Sequence, residues 1–214
     1  MKSRDKPTII NADETLKEEV TKIVTISFTS EAITSFIFNL NKHHALETLY
    51  RFNLLKIKEF YKKDYFLFGA LMDQQIVGAA VIKKGGGITF LDKLKSYFPD
   101  ILTLIMPMIS ILNLKRVIRI SKYIKPPSSI KKPYYTLEAI GVSPEHQGQG
   151  IGTMLLNKVN EVAENNSKIT GIYLFTGDKK NQILYEKFGY ETLEEFQAEG
   201  ITIYHMFRKN KFNQ

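Results

Sequence analysis

His146-Gln147-Gly148-Gln149-Gly150-Ile151-Gly152 sets three glycines at alternate positions, between an apolar extended run and a helix-patterned one. Backbone N–H groups at a helix start have no partners inside the helix and carry the positive end of its dipole. Glycine lets the backbone come close to a phosphate. Gln147–Thr153 is therefore a candidate pyrophosphate cradle. A P-loop would need Gly-Lys-Ser/Thr, and Gly150-Ile151-Gly152 has no lysine; a dinucleotide fingerprint would need a glycine where Thr153 stands. A glycine-rich strand-to-helix turn without a ligand has the same local pattern, so spacing alone leaves both readings open.

A second pair is Asn181 and Tyr185, four residues apart and so on one face of a helix. By spacing alone Tyr185 reads first as a core aromatic. The four histidines, His43, His44, His146 and His205, form no metal-binding spacing and read as structural or surface residues. The chain has no cysteine, which excludes a thiol nucleophile, a disulfide framework and cysteine-held metal.

These residues need elements to hold them. Thr8–Asn11 reads as a short strand, and from Asp13 a helix follows with Leu16, Val20, Ile23 and Val24 on one face. Ser30–Asn41 and Leu46–Tyr61 read as further helix. Tyr65–Leu71 and Ile76–Lys83 are strands of an antiparallel hairpin turning at Asp73-Gln74. Gly85-Gly86-Gly87 breaks the pattern, and Leu91–Ile124 is mostly helical with breaks near Pro99 and Pro107. Tyr134–Val142 is a strand. The helix after the glycines carries Ile151, Met154, Leu155, Val159, Val162 and Ala163 at helical spacing. Ile169–Phe175 is a strand, Lys179–Phe188 a helix ended by a left-handed Gly189, and Ile201–Phe207 a last strand. This alternation predicts a layered α/β or α+β domain. With no composition break or flexible linker, residues 1–214 read as one domain.

Gln147-x-x-Gly150-x-Gly152, after Ile140-Gly141-Val142-Ser143-Pro144-Glu145, resembles the cofactor signature of the GNAT superfamily of acetyl-CoA-dependent N-acetyltransferases. Asn181-x-x-x-Tyr185-x-Lys187-Phe188-Gly189-Tyr190 is similar to that family's second motif. The run Tyr134–Lys209, with the helical segment before it, is most similar to the puromycin acetyltransferase branch. The resemblance is specific over the C-terminal 80 residues; the first 64 carry no matching motif. It implies a mixed, largely antiparallel sheet flanked by helices, with a helical insertion at about 88–125 before the fourth strand.

It also implies roles. In that family the fourth and fifth strands splay, and the pantetheine arm pairs with fourth-strand backbone, here at Ile140 and Val142. The N–H groups of Gln147, Gly148, Gln149, Gly150, Ile151, Gly152 and Thr153 would hold the pyrophosphate of acetyl-CoA. Asn181 would position the cofactor, and Tyr185 would protonate the departing thiolate, which a phenol can do at neutral pH. Gly141 fits a bulge, a close ligand approach or a strand packed against a neighbour. The attacking amine must be neutral, and free alkylamines have pKa values of about 10. Glu138, expected on the face of Thr136 and Ile140, is the candidate base; the alternative is a surface carboxylate paired with a lysine. Transfer would be direct, with no metal.

The formal net charge is +8, which suits polyanions without choosing among them. Lys115, Arg116, Arg119, Lys122, Lys125, Lys131 and Lys132 lie in one segment without an acid. A solvated face or a contact to the CoA 3′-phosphate accounts for them better than nucleic acid, because stacking aromatics are absent apart from Tyr123. Ile101–Leu114 is apolar but shorter than the ~20 residues of a membrane span, and Met1–Val20 holds no signal-peptide core. The expectation is a cytoplasmic enzyme acting on a small-molecule amine, with no nucleic-acid or membrane partner and with a homodimer allowed. A non-catalytic acyl-CoA sensor is the alternative, and a basic nucleic-acid or membrane-surface protein a more distant one.

Overall fold

A computed structural model describes residues 6–61, 65–84 and 98–211, the side chains of 98–102 excepted. Seven strands form one sheet. They are β1 (Thr8–Asn11), β2 (Tyr65–Met72), β3 (Gln75–Lys84), β4 (Tyr135–Val142), β5 (Gly171–Thr176), β6 (Glu191–Ala198) and β7 (Ile201–Lys209). Their spatial order is β1-β2-β3-β4-β5-β7-β6, and every neighbouring pair is antiparallel except β4–β5. The mixed, largely antiparallel sheet flanked by helices is the architecture expected.

The helices are α1 (Lys17–Thr29), α2 (Ala32–Ile37), α3 (Ala45–Phe60), α4 (Phe98–Ile111), α5 (Leu114–Ser121), α6 (Ile151–Glu164) and α7 (Lys179–Glu186). Two apolar clusters divide the faces of the sheet. On one face Ile151, Leu155 and Val159 of α6, with Tyr185 of α7, pack on Ile82, Leu137, Leu174 and Met206. On the other, Val20 and Val24 of α1 and Ile57 and Phe60 of α3 pack on Leu67, Val81 and Ala139. α1 and α3 are also joined by a buried Asn53 Nδ2 donating to Thr25 Oγ1 at 3.1 Å.

The turn at Asp73-Gln74 is as expected: both residues have positive φ, 49° and 63°, the pairing that suits the right-handed twist of a two-residue hairpin. Two expectations need correction. Pro107 does not break its helix but lies inside α4; a proline there forfeits one intrahelical hydrogen bond, yet the helix continues to Ile111 and ends at Leu112-Asn113. Pro99 sits in the first turn of α4, where a missing N–H is harmless. Ser30–Asn41 is helical only over Ala32–Ile37, because Phe38 turns to extended backbone and bridges Leu112. Asn39 N–H donates to Ile111 O at 2.7 Å and Asn113 N–H to Ile37 O at 2.8 Å, fastening α4 and α5 beside α2. The Gly85-Gly86-Gly87 break and the start of the Leu91–Ile124 helical expectation lie outside the described residues. Among the described residues, no helix is long and apolar enough to cross a membrane.

Candidate active site

β4 and β5 share only two rungs, Tyr135–Ile172 and Thr136–Tyr173, and then diverge. On its other edge β4 stays paired with β3 as far as Val142. Ser143 N–H donates to Val77 O at 2.8 Å. Residues that bond across an antiparallel ladder alternate, so Gly141 and Ala139 also bond toward β3. Ile140 and Val142 therefore turn their N–H and C=O groups toward the gap that β5 vacates. A gap with backbone donors and acceptors on one wall can hold an extended amide-bearing chain as a strand would.

Gln147–Gly152 lies at the mouth of this gap. Gly148 and Gly150 have φ of +77° and +78°, the left-handed region that glycine occupies without penalty. No atom lies within 4 Å of a Cβ built on either, so these two glycines are required by backbone conformation rather than by crowding. Gly150 is the N-cap of α6 and supplies no side-chain cap. The first helical bond is Met154 N–H to Gly150 O at 3.1 Å, leaving the N–H groups of Ile151, Gly152 and Thr153 without partners among the described residues. Two side chains brace the loop: Gln147 Nε2 donates to Val142 O at 3.2 Å, on the gap side of β4, and Gln149 Nε2 donates to Glu145 O at 3.3 Å. Exposed, dipole-aligned donors without an internal cap suit an anion.

Across the gap, Asp178 caps α7 through Lys180 N–H at 2.7 Å. Asn181 is half-buried and its side chain has no hydrogen bond among the described residues. Tyr185 is buried on the α6 side of the sheet. Its carbonyl accepts Tyr190 N–H at 3.2 Å while Glu186 O accepts Gly189 N–H at 3.0 Å, and Gly189 has φ +82°. This is a glycine C-cap, whose usual apolar contact is made by the Tyr185 and Tyr190 rings, 5.6 Å apart. Burial pushes the Tyr185 hydroxyl well above the usual tyrosine range, and the Glu31 carboxylate pushes it the same way. The phenol thus keeps its proton and has no hydrogen-bond acceptor among the described residues.

Glu138 differs from expectation in orientation. The β3–β4 register slips between Val81–Ala139 and Ile82–Leu137, so Glu138 is the extra residue of a bulge. A bulge reverses the alternation of faces beyond it. Ile140 and Val142 accordingly pack with Leu137 on the α6 side, whereas Glu138 and Ala139 line a cleft under α1 and α3 with Phe28, Asn53, Ile57 and Phe60. Glu138 does not share a face with Ile140. Its carboxylate lies 3.8 Å from Lys83 Nζ, the lysine pairing named as the alternative. Gly141 is explained by packing: a Cβ there would stand 1.5 Å from Ser27 Oγ of α1. The bulge sits three residues earlier.

The cleft residues on α1 and α3 carry no motif. Their one signal was Asn53, a polar residue on the otherwise apolar stripe Leu49, Asn53, Ile57, Phe60. Glu31, also without a motif, accepts Thr34 N–H at 3.0 Å and Gly177 N–H at 2.9 Å, tying the start of α2 to the exit of β5. Of the basic segment, all seven cations are exposed. Arg116 donates to Phe36 O at 2.9 Å and stacks on that ring, and Arg119 pairs with Glu199. His205 is fully buried. Its Nε2–H can only donate to the Tyr123 carbonyl, at 2.6 Å, so its Nδ1 accepts from the Tyr173 hydroxyl at 2.7 Å.

Comparison with known proteins bears on this arrangement. The family model described as acetyltransferase (GNAT) family matches residues 31–190. No curated protein sequence matches the chain. Among solved structures, a histone acetyltransferase HPA2 and related acetyltransferase from Corynebacterium glutamicum has a TM-score of 0.65 at 17% identity, covering 95% of this chain and 96% of that one. The C-terminal condensation domain of Ebony, in complex with beta-alanyl-dopamine, has a TM-score of 0.61 at 16% identity, covering 95% and 99%. The PaiA N-acetyltransferase from Thermoplasma acidophilum, in complex with coenzyme A, has a TM-score of 0.57 at 12% identity, covering 96% and 99%. At such identities the likeness is one of fold. The family match over most of the length, on a sheet that parts beside a glycine-rich helix start, leads to the conclusion that the chain belongs to the acetyltransferase (GNAT) family, which implies acyl transfer from acetyl-CoA.

Proposed function

We propose that the protein is an N-acetyltransferase moving the acetyl group of acetyl-CoA directly onto a primary amine. The observation that carries this reading is the parting of β4 from β5 after two rungs, beside the open N–H groups of α6. The pyrophosphate would sit on the N–H groups of Gln147–Thr153, and the pantetheine amides would pair with Ile140 and Val142. Asn181 would orient the arm from α7. Within the family, the sequence of Tyr134–Lys209 is nearest in pattern to the puromycin acetyltransferase branch, which by itself assigns no acceptor.

The faces of the sheet separate the two proton transfers. Glu138 points to the α1–α3 side, and Tyr185 lies on the α6–α7 side. An amine approaching from the first side would lose a proton to Glu138 as its nitrogen attacks the thioester carbon. As the carbon–sulfur bond breaks, the sulfur would take the Tyr185 proton on the other side. The products are the N-acetylated amine and CoA; the proton taken by Glu138 balances the one given by Tyr185, exchange through water restores both groups, and an amine that arrives as ammonium releases one further proton. Burial that keeps Tyr185 protonated supports a donor, since a phenolate could not serve.

The Lys83–Glu138 pair and the packing of Tyr185 in its helix cap favour a second reading, a domain that holds acyl-CoA without turning it over. A pH–rate profile with one good acceptor separates the two. Tyr185→Phe keeps the ring contact with Tyr190 and should lower turnover roughly 10²-fold or more, with acetyl-CoA affinity little changed. Glu138→Gln should be most impaired below the acceptor pKa and partly rescued above it, where the amine arrives neutral. Wild-type profiles from both variants would remove these residues from the chemistry. Tight CoA binding without turnover over a broad amine panel would establish the sensor.

A further inference from the structure

The helix α4 is apolar on both sides of its axis. From Ile105 to Ile111 only Ser110 is polar. Leu104, Met108 and Ile111 form its inner arc, and Met108 and Ile111 pack there with Ala45 and Leu49 of α3. Its outer arc is Ile105, Met106 and Ile109, which are 40%, 73% and 62% exposed. A helix apolar all round is ordinarily buried, yet this arc has no cover among the described residues. α5 follows after Leu112-Asn113. Its Ile120 is buried with Ile33 of α2 and Ile203 of β7, whereas Leu114 and Ile118, one turn apart, are 61% and 64% exposed. Lys115, Arg119 and Lys122 occupy the adjoining stripe at helical spacing. Arg119 pairs with Glu199, and Lys122 Nζ lies 4.6 Å from the centre of the Tyr123 ring. Residues 101–137 hold seven lysines and arginines and no acid.

We propose that α4 and α5 form a docking surface for anionic phospholipid, with the exposed apolar side chains at the acyl boundary and the cations among the headgroup phosphates. Charge complementarity selects this occupant. Large apolar residues on one stripe with lysine and arginine beside them suit a helix lying in a membrane interface, where apolar burial and attraction to anionic lipid add. Long basic side chains keep their charge among headgroups while their methylenes rest on apolar surface. A second copy of this chain would satisfy the apolar arcs alone. A two-fold contact sets a patch against its own image, so the basic segment would face itself, and like charges so placed oppose association. A nucleic acid would satisfy the cations alone and leave Met106, Ile109, Leu114 and Ile118 in water. The length of Ile101–Leu114 argues against a span, not against helices lying in the plane, so this surface revises the expectation of no membrane partner. It is independent of the acetyltransferase reading: the exposed arcs lie opposite the side chains that pack on α2 and α3, and none of the cradle or gap residues belongs to them.

Two measurements on the full chain test this. The first is co-sedimentation with vesicles of phosphatidylcholine alone or of equal parts phosphatidylcholine and phosphatidylglycerol. The protein should sediment with the anionic vesicles, less so as salt is raised, and stay in solution with the neutral ones. Leu114→Ser/Ile118→Ser and Lys115→Glu/Lys122→Glu should each weaken vesicle binding roughly tenfold or more. All four positions are exposed, and circular dichroism confirms that the variants fold. The second measurement uses the absence of tryptophan from the chain. Met106→Trp and Ile118→Trp each place one reporter on one helix, and the emission of both should shift to the blue on anionic vesicles and not on neutral ones. Equal retention by the two kinds of vesicle, or binding with neither reporter shifted, would overturn the proposal. So would a stable dimer in sedimentation velocity that Leu114→Ser/Ile118→Ser dissociates, since a second copy would then cover the face. Duplex DNA bound more tightly than the anionic vesicles, and equally by wild type and Leu114→Ser/Ile118→Ser, would overturn it in favour of a general polyanion surface.

Discussion

Replacing Gly141 by alanine separates a glycine kept for a helix from one kept for a ligand. The new Cβ would stand 1.5 Å from Ser27 Oγ and 2.5 Å from Ser27 Cβ. Rotating Ser27 can clear the first contact, at the loss of its hydrogen bond to Ile23 O, now 2.8 Å. It cannot clear the second, so α1 must retreat from β4. Overpacking of this kind costs about 2–3 kcal/mol. At about 2–4 °C per kcal/mol for a domain of this size, Gly141→Ala should lower Tm by roughly 4–12 °C. Ser27→Gly removes both offending atoms, at a cost of about 1 kcal/mol for glycine in a helix. The double variant should therefore be more stable than the sum of the singles predicts, by about 1–2 kcal/mol of coupling. Thermal melts of the four proteins give the cycle, and isothermal titration with CoA below the transition gives affinity. The packing argument fails if Gly141→Ala melts like the wild type, or if it loses CoA affinity with no loss of stability.

Gly150→Asp should fold, since its Cβ would enter open space and aspartate tolerates the left-handed region better than most residues. It should lose CoA binding severely, because a carboxylate would face the pyrophosphate; equal affinities by titration would sink the cradle assignment. His205 makes stability acid-sensitive. Burial pulls its pKa below the ordinary 6.5, so the unfolded chain binds the proton more readily, and this contribution is full above pH 6.5 and lost as pH falls through the folded value. His205→Gln can keep a donor to Tyr123 and an acceptor for Tyr173 without titrating, so its urea midpoint should fall less than the wild type's between pH 7.5 and 5.5. Parallel curves would show that acid acts elsewhere.

The glycine loop and the α7 cap were legible because their information is local. Positive φ at Gly148, Gly150 and Gly189 is written in residue type, and the spacing of Gln147, Gly150 and Gly152 is short. β6 was not legible. Glu191–Ala198 carries three glutamates and no β-branched alternation, a composition suited to an edge strand paired only with β7. Its turn did leave a trace, the two-residue Glu199-Gly200 with both φ positive. The face of Glu138 was beyond reach because a bulge is set by the pairing of two strands, and nothing near Glu138 marks the extra residue. The Gly141–Ser27 approach and the Asn53–Thr25 bond join residues far apart in the chain. Pro107 misled because a helix interior tolerates a proline when neighbours hold it, and those neighbours, such as Ala45 and Leu49 of α3 beside Ile111, belong to tertiary structure.

The two rungs between β4 and β5 give the protein an internal edge. Four strands lie on one side of it and three on the other, and mechanically the sheet is two half-sheets sharing a hinge at Tyr135–Ile172 and Thr136–Tyr173. Unpaired strand edges ordinarily invite another polypeptide to add on, with the hazard of aggregation. Here the edge is recessed between α1 and α3 on one face and α6 and α7 on the other. A strand entering there would have to seat side chains against helices on both faces, a demand that a thread of linear methylenes and amides does not make. The fold carries strand-edge backbone at the centre of its sheet, where two layers of helix rather than a further strand cover it.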